Sequence, residues 1–220
     1  MQHELVVVAD DEALAAKAAS WVASRAGAAV EAHGTFLFAV SGGRTPWAMF
    51  SRLTGAEDVP WPSVQIFQVD ERVAPDGDDA RNLTHLRAAL SGVPVTLHPM
   101  PVDDPDLDAA AEAYAGALPA RFDLVHLGLG PDGHTASLVP GDPVLDVTDR
   151  LVALTRPYEG HRRMTLTYPA LGRAQQLLWL VSGADKRDAV AKLLAGDTSI
   201  PAGRVEGAHS TVMVDAAAAP

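Results

Sequence analysis

Short apolar runs rich in valine, leucine and phenylalanine alternate along the chain with longer stretches in which alanine and leucine recur among polar residues. The runs Leu5 to Val8, Thr35 to Val40, Val64 to Val69, Phe122 to Leu127, Met164 to Tyr168, Leu177 to Val181 and Thr211 to Val214 have strand length and predict strands. Between them, Asp11 to Glu31, Pro46 to Leu53, Asp106 to Leu118 and Ala184 to Leu194 predict helices. Leu14, Ala18, Trp21 and Val22 of the first helix share one face, a stripe to be buried as core rather than a cofactor box. Strands apolar throughout are covered on both sides, and helices between successive strands make parallel crossovers. The expected fold class is therefore α/β, a single-domain, doubly wound, mainly parallel sheet with helices on both faces. Residues 1–220 read as one domain: Val73 to Asp79 and Pro99 to Pro105 are loops rather than linkers, and only Ala216 to Pro220 is expected to fray.

Composition narrows the partners. A net charge of -11 argues against bulk binding of nucleic acid or anionic membrane, because phosphate polymers are held by a broad positive field. Any phosphate bound here needs a local pocket. No apolar run approaches the ~20 residues of a membrane span, and the start reads as no export signal. The absence of Cys removes disulfides and thiolate metal ligands and fits a cytoplasmic setting. No obligate protein partner is evident.

Four predicted strands run directly into polar clusters: SGGRTP after Val40, DER after Val69, GPDGH after Leu129 and SGADK after Val181. In open parallel sheets ligands bind outside the carboxyl ends of the strands, so these clusters are expected to converge on one crevice. In Ser41-Gly42-Gly43-Arg44-Thr45-Pro46 the glycines allow a tight turn, Thr45 is placed to cap the next helix and Pro46 suits its first position. Such a turn either cradles an anion on its N–H groups or simply joins strand to helix. It lacks the spacing of a nucleotide-binding P-loop. Asp70-Glu71-Arg72 is either part of a site or an ion-pair network. Arg72 offers a planar fork to phosphate oxygens, and Lys186 a second positive charge that in isolation would read as solvated surface.

Gly128-Leu129-Gly130-Pro131-Asp132-Gly133-His134 matches G-x-G-x-x-G in letters. A dinucleotide site needs a helix opening there, however, and Pro140, Gly141 and Pro143 follow too soon. A loop presenting Asp132 and His134 is the better reading. The carboxylate, two residues away, accepts the imidazole Nδ1 proton and leaves the other nitrogen free to take a proton from water. No HExxH and no second His at ligand spacing accompany it, so no metal site is expected, and the acidic run Asp76, Asp78, Asp79 reads as a solvated loop.

These blocks, in this order, resemble the 6-phosphogluconolactonase family, which belongs to a wider group shared with glucosamine-6-phosphate deaminases and isomerases. The resemblance spans SGGRTP at 41–46, DERVAPDGDDARN at 70–82, LGLGPDGHTASLVPG at 127–141, RMTLTYPAL at 163–171 and SGADK at 182–186. It implies hydrolysis of 6-phosphogluconolactone, the lactone step of the oxidative pentose phosphate pathway, without metal or cofactor. It implies His134 as general base oriented by Asp132. It also implies a phosphate held by Arg72, Lys186 and the Ser41-Gly42-Gly43 turn, with Asp70 and Arg163 nearby and Asp70 paired to cations. Arg44 and Arg81 stand where the family commonly has a small Ser, so each is expected to add a phosphate contact or to face solvent. Val139 lies five positions after the histidine, where the isomerases and deaminases carry an acidic residue. Those activities are the first alternative, and a non-catalytic sugar-phosphate sensor, for which no output region is visible, is the second.

Overall fold

The computed structural model describes residues 2–220. In chain order it runs β1 (His3–Val8), α1 (Asp11–His33), β2 (Phe36–Val40), α2 (Arg44–Leu53), β3 (Val64–Gln68), β4 (Asp70–Arg72), α3 (Asn82–Ala89), β5 (Thr96–His98), α4 (Leu107–Ala117), β6 (Phe122–Leu127), β7 (Val152–Leu154), β8 (Arg163–Leu166), α5 (Tyr168–Leu171), β9 (Ala174–Val181), α6 (Arg187–Leu194) and β10 (His209–Asp215). Seven strands form one sheet in the order β1-β10-β9-β6-β2-β3-β5, every neighbouring pair parallel. The expected α/β class and doubly wound parallel sheet therefore stand.

Helix α1 shows why its ends fall where they do. Asp10 accepts a hydrogen bond from the Ala13 N–H at 2.8 Å, and Gly34, at φ +85°, turns the chain out of the helix. Leu14, Ala18 and Val22 are buried with Met49 and Phe50 of α2 against one face of the sheet. Trp21 is only half-buried, its ring covered by the Arg25 guanidinium at 4.8 Å. The opposite face carries Tyr114, Leu171, Val190 and Leu193 from α4, α5 and α6. The hydrophobic positions thus form two clusters, one on each side of the sheet.

Three features depart from the sequence reading. The run at Met164 to Tyr168 does not join the main sheet. Its strand, β8, lies between β4 and β7 in a second, antiparallel sheet. Val69 joins the two sheets: its N–H donates to Val40 in the large sheet at 2.9 Å, and its carbonyl accepts from Leu166 of the small one at 2.7 Å. The tail also differs. Ala218 is buried, its N–H bonded to Asp215 Oδ1 at 2.8 Å and that of Ala219 to the Asp215 carbonyl at 3.1 Å, so the chain end is fastened rather than frayed. Finally, α2 begins at Arg44 with Gly43 as its N-cap and no side-chain cap, so Thr45 does not cap it and Pro46 is not its first residue.

Chain order explains the site. After β2 the chain moves outward to β3 and β5, then returns to β6 on the other side of β2 and proceeds through β9 to β10. The direction of winding therefore reverses between β2 and β6, the position at which doubly wound sheets open a crevice.

One buried group gives the fold a pH signature. His126, on β6, is fully buried with neither ring nitrogen hydrogen-bonded among the described residues, and desolvation pushes its pKa down to about 3. Between that value and ~6.5 the unfolded chain binds a proton that the folded chain refuses. Stability is therefore whole above the unfolded value and is lost as pH falls below it, by up to about 1.4 kcal/mol per pH unit from this residue. Denaturant titrations at pH 7.5 and 5 are expected to show the loss, and His126→Leu to reduce it. Equal slopes for the two proteins would contradict the assignment.

Candidate active site

Strands β9, β6, β2 and β3 are consecutive in the sheet, so the clusters that follow them lie side by side. They enclose a cavity of about 370 Å³ whose walls include Ser41, Gly42, Gly43, Asp70, Arg72 and His134, with Arg163 and Lys186 completing its cationic side. Every site residue expected from the sequence lines this cavity except Asp132, which stands behind the histidine.

After β6 the chain turns through Gly130 to His134 without opening a helix, closed by the Gly130 N–H on the His134 carbonyl at 2.8 Å. Asp132 Oδ1 lies 2.6 Å from His134 Nδ1 and also accepts the His134 main-chain N–H at 3.1 Å. Gly130 is required here, because a Cβ at that position would run into the imidazole Nδ1. Burial works against the Asp132 charge, but the His134 N–H, the imidazole charge and the ring hydrogen bond outweigh it and hold the carboxyl below its ordinary value. The carboxylate is thus ionised at neutral pH and fixes Nδ1. Nε2 has no protein hydrogen bond among the described residues and is the nitrogen left for chemistry.

The β2–α2 turn supplies donors. The N–H groups of Gly42 and Gly43 have no hydrogen-bond partner among the described residues, and α2 begins without a side-chain cap. Ser41 Oγ is buried and has no hydrogen-bond partner among the described residues. A helix start with free N–H groups favours an anion. Asn82 ties this turn to Arg72: its side chain packs where a Gly42 Cβ would stand, accepts from Arg72 Nη1 and donates to the Asp70 carbonyl at 3.0 Å.

Alternation along β4 separates its three charges. Asp70 and Arg72 reach the cavity, whereas Glu71 points away and is wholly buried. Glu71 accepts from Gln68 Nε2 and from the main-chain N–H groups of Arg72, Asn82 and Leu83, all at 2.7–2.8 Å, and so closes the start of α3. The tripeptide is thus divided between its faces, Asp70 and Arg72 on the cavity and Glu71 in a buried network. Among the described residues, Asp70 is not paired to a cation. Its partner is Ser137, which donates its hydroxyl at 2.7 Å.

The cations differ in availability. Lys186 Nζ lies 3.2 Å from Asp185, and Arg163 Nη2 3.1 Å from Glu159. Arg72 has no carboxylate within ion-pair distance among the described residues, only the neutral Asn82. Arg72 and Arg163 are also register partners across β4 and β8. Like charges in that relation repel unless an anion lies between them.

The two unusual arginines part company. Arg44 is exposed at the cavity rim, 3.8 Å from Asp11. Arg81 neither faces solvent nor lines the cavity. It is buried 3.7 Å from Glu71 and 3.9 Å from Asp76 and Asp103, so it pins the 73–79 and 99–105 loops to the base of β4. The 75–79 loop is exposed to solvent, as expected of the acidic run, and within it Asp76 pairs with Arg87 at 2.8 Å as well as with Arg81.

Sequence reasoning missed Asn82, Ser137 and Tyr158. The first two sit inside blocks already singled out, but polar residues in short loops and at a short helix start carry no periodicity that would mark them. Tyr158 approaches from a hairpin tip and has no local signal at all. Among the described residues, no group of three or more His, Asp or Glu side chains is placed to hold a metal ion, and no helix is long and apolar enough to cross a membrane.

Residues 9–214 match the family described as glucosamine-6-phosphate isomerases/6-phosphogluconolactonase. A 6-phosphogluconolactonase of Mycobacterium tuberculosis is 38% identical over 243 aligned positions, covering 99% of this chain and 98% of its own. The crystal structure of 6-phosphogluconolactonase from Thermotoga maritima superposes with a TM-score of 0.89 at 26% identity, over 97% of this chain and all of that one. That of a 6-phosphogluconolactonase from Shewanella baltica gives 0.88 at 27% identity, over 98% of each.

Proposed function

Because the chain belongs to the glucosamine-6-phosphate isomerase/6-phosphogluconolactonase family, we propose that it hydrolyses 6-phosphogluconolactone to 6-phosphogluconate with His134 as general base. The chain is an enzyme of the lactonase branch, and relatives that carry the name 6-phosphogluconolactonase match it over 89–99% of its length. The observation that carries the mechanism is the meeting, in one cavity, of an Asp-oriented imidazole with three cations and an uncapped helix start.

The roles follow from the chemistry. The substrate phosphate takes Arg72, Lys186 and the N–H groups of the Ser41–Gly43 turn, and Arg163 faces Arg72 across the same anion. This sets the lactone carbonyl towards His134. Nε2 removes a proton from water as the oxygen attacks C1, and Asp132 steadies the imidazolium that forms. As the tetrahedral intermediate collapses, the C1–O5 bond breaks and the same imidazolium protonates the leaving ring oxygen. One proton is thus borrowed and returned. The reaction is set in the cytoplasm and needs neither metal nor organic cofactor, since an ester already hydrolyses slowly in water.

One observation favours a second reading. The Asp70 carboxylate reaches the cavity and offers a second base, as an aldose–ketose isomerase or amino-sugar deaminase would use. Against it stands Val139, which supplies no charge at the position where those relatives carry a carboxylate and which is not among the cavity walls. The expected outcome with purified protein is no ammonia from glucosamine 6-phosphate and no ketose from glucose 6-phosphate, each against a no-enzyme control. Ammonia released above that control without lactone turnover would favour the second reading.

A further inference from the structure

The loop joining β7 to β8 ends in a tight hairpin. Tyr158 and His161 exchange main-chain hydrogen bonds of 2.9 and 3.2 Å, and the two residues between them, Glu159 and Gly160, both have positive φ, +50° and +84°. Two such residues match the twist of a hairpin, but glutamate adopts that conformation only at a cost. What the hairpin holds explains its shape. The Tyr158 ring meets the His134 imidazole edge to face, with centroids 5.6 Å apart and planes at 65°. The guanidinium of Arg163 lies 4.9 Å over the same ring, and donates to the Tyr158 carbonyl at 3.4 Å and to Glu159 Oε2 at 3.1 Å. Arg163 is itself buried and lines the cavity.

Asp132 does not fully orient the base. A single hydrogen bond at Nδ1 selects the tautomer, but the torsion that turns an imidazole about its bond to Cβ is broad. The ring still needs a stop on another side. Tyr158 provides one from an independent element, and Arg163 and Glu159 hold Tyr158 in turn. The phenol is kept neutral: burial first, then the charges of Asp132 and Glu159, raise its pKa against the opposing effect of Arg163. Its hydroxyl has no hydrogen-bond partner among the described residues, so the contact is made by the ring.

We propose that Tyr158 is a positioning residue for this reaction, its ring fixing the rotation of His134 so that Nε2 faces the cavity. This rests on the lactonase reading above. Aromatic contacts of this kind predict a loss of about 2- to 10-fold in kcat for Tyr158→Leu, with KM for the phosphorylated lactone little changed because Arg163 keeps Glu159. Tyr158→Phe retains the ring and is expected to restore the rate. A second readout does not depend on turnover: the ring current of Tyr158 shifts the His134 Cε1–H resonance, which is expected to move in Tyr158→Leu and to stay near its wild-type position in Tyr158→Phe.

A Tyr158→Leu protein with wild-type kcat, or with an unmoved His134 resonance, would overturn the proposal. So would a Tyr158→Phe protein as slow as Tyr158→Leu, since the ring would then not be the part that matters. A wild type with no lactone turnover would instead sink the functional reading, whereas a working wild type with an indifferent Tyr158→Leu sinks only the role of Tyr158.

Discussion

His134→Ala is expected to lower kcat for 6-phosphogluconolactone by roughly 10²–10⁴-fold while leaving KM and the thermal midpoint close to wild type. The size follows from what is lost. A general base acts on the water only as the transition state forms, so its removal costs transition-state stabilisation and little ground-state affinity. The fold has no reason to change, because the imidazole is part-exposed and its one hydrogen bond is to the neighbouring Asp132. Asp132→Asn should cost less, since the base itself remains and only the charged partner that fixes its tautomer is removed. Progress curves corrected for spontaneous hydrolysis give the comparison. A folded His134→Ala protein with full turnover would require another base, and Asp70 would be the first place to look.

Arg72→Ala is expected to raise KM for the phosphorylated lactone about 10- to 100-fold, with a smaller change in kcat. Hydrogen bonds to a charged group contribute about 1.5–3 kcal/mol, and Arg72 is the cavity cation with no carboxylate among the described residues to neutralise it. Lys186→Ala should act in the same direction but more weakly, because Asp185 already engages its ammonium in the free protein. Inhibition by 6-phosphogluconate should weaken in parallel with KM. An unphosphorylated lactone serves as the control and should be nearly indifferent to either change. Equal losses on both lactones would move these residues from phosphate binding to chemistry or to maintenance of the fold.

Most of the frame was legible in the chain. Apolar runs such as Phe122 to Leu127 carry a strand signal independent of context, and α1 starts at Asp11 as expected but runs past Glu31 to His33, where Gly34 turns the chain out. The convergence of four polar clusters followed from one rule about parallel sheets, and it holds because β9, β6, β2 and β3 are adjacent. What escaped depended on distant contacts. The three-residue strands β5 and β7 are too short for a pattern to emerge, and α3 begins where Glu71, eleven residues earlier, accepts its first N–H. Arg81 looked like a surface or site cation because its burial is created by Glu71, Asp76 and Asp103 from other segments. The tail looked frayed because five residues of small side chains say nothing of the Asp215 carboxylate that receives them.

The same division applies to the site. The Asp132–His134 pair was readable because both groups lie within one turn and their spacing determines their distance. Asp70 was harder. Its sequence neighbours suggested an ion pair, while its actual partner, Ser137, comes from sixty-seven residues away. Tyr158 reaches His134 only because a hairpin between two short strands folds back against the imidazole, a relation that no local pattern encodes.

The central claim is tested most directly by following freshly prepared 6-phosphogluconolactone with the wild-type protein and measuring 6-phosphogluconate as it appears, against the spontaneous rate in the same buffer. The account predicts product formation that exceeds the spontaneous rate, scales with enzyme concentration, and saturates with substrate. Lactone that disappears no faster with the folded protein than without it would contradict the account.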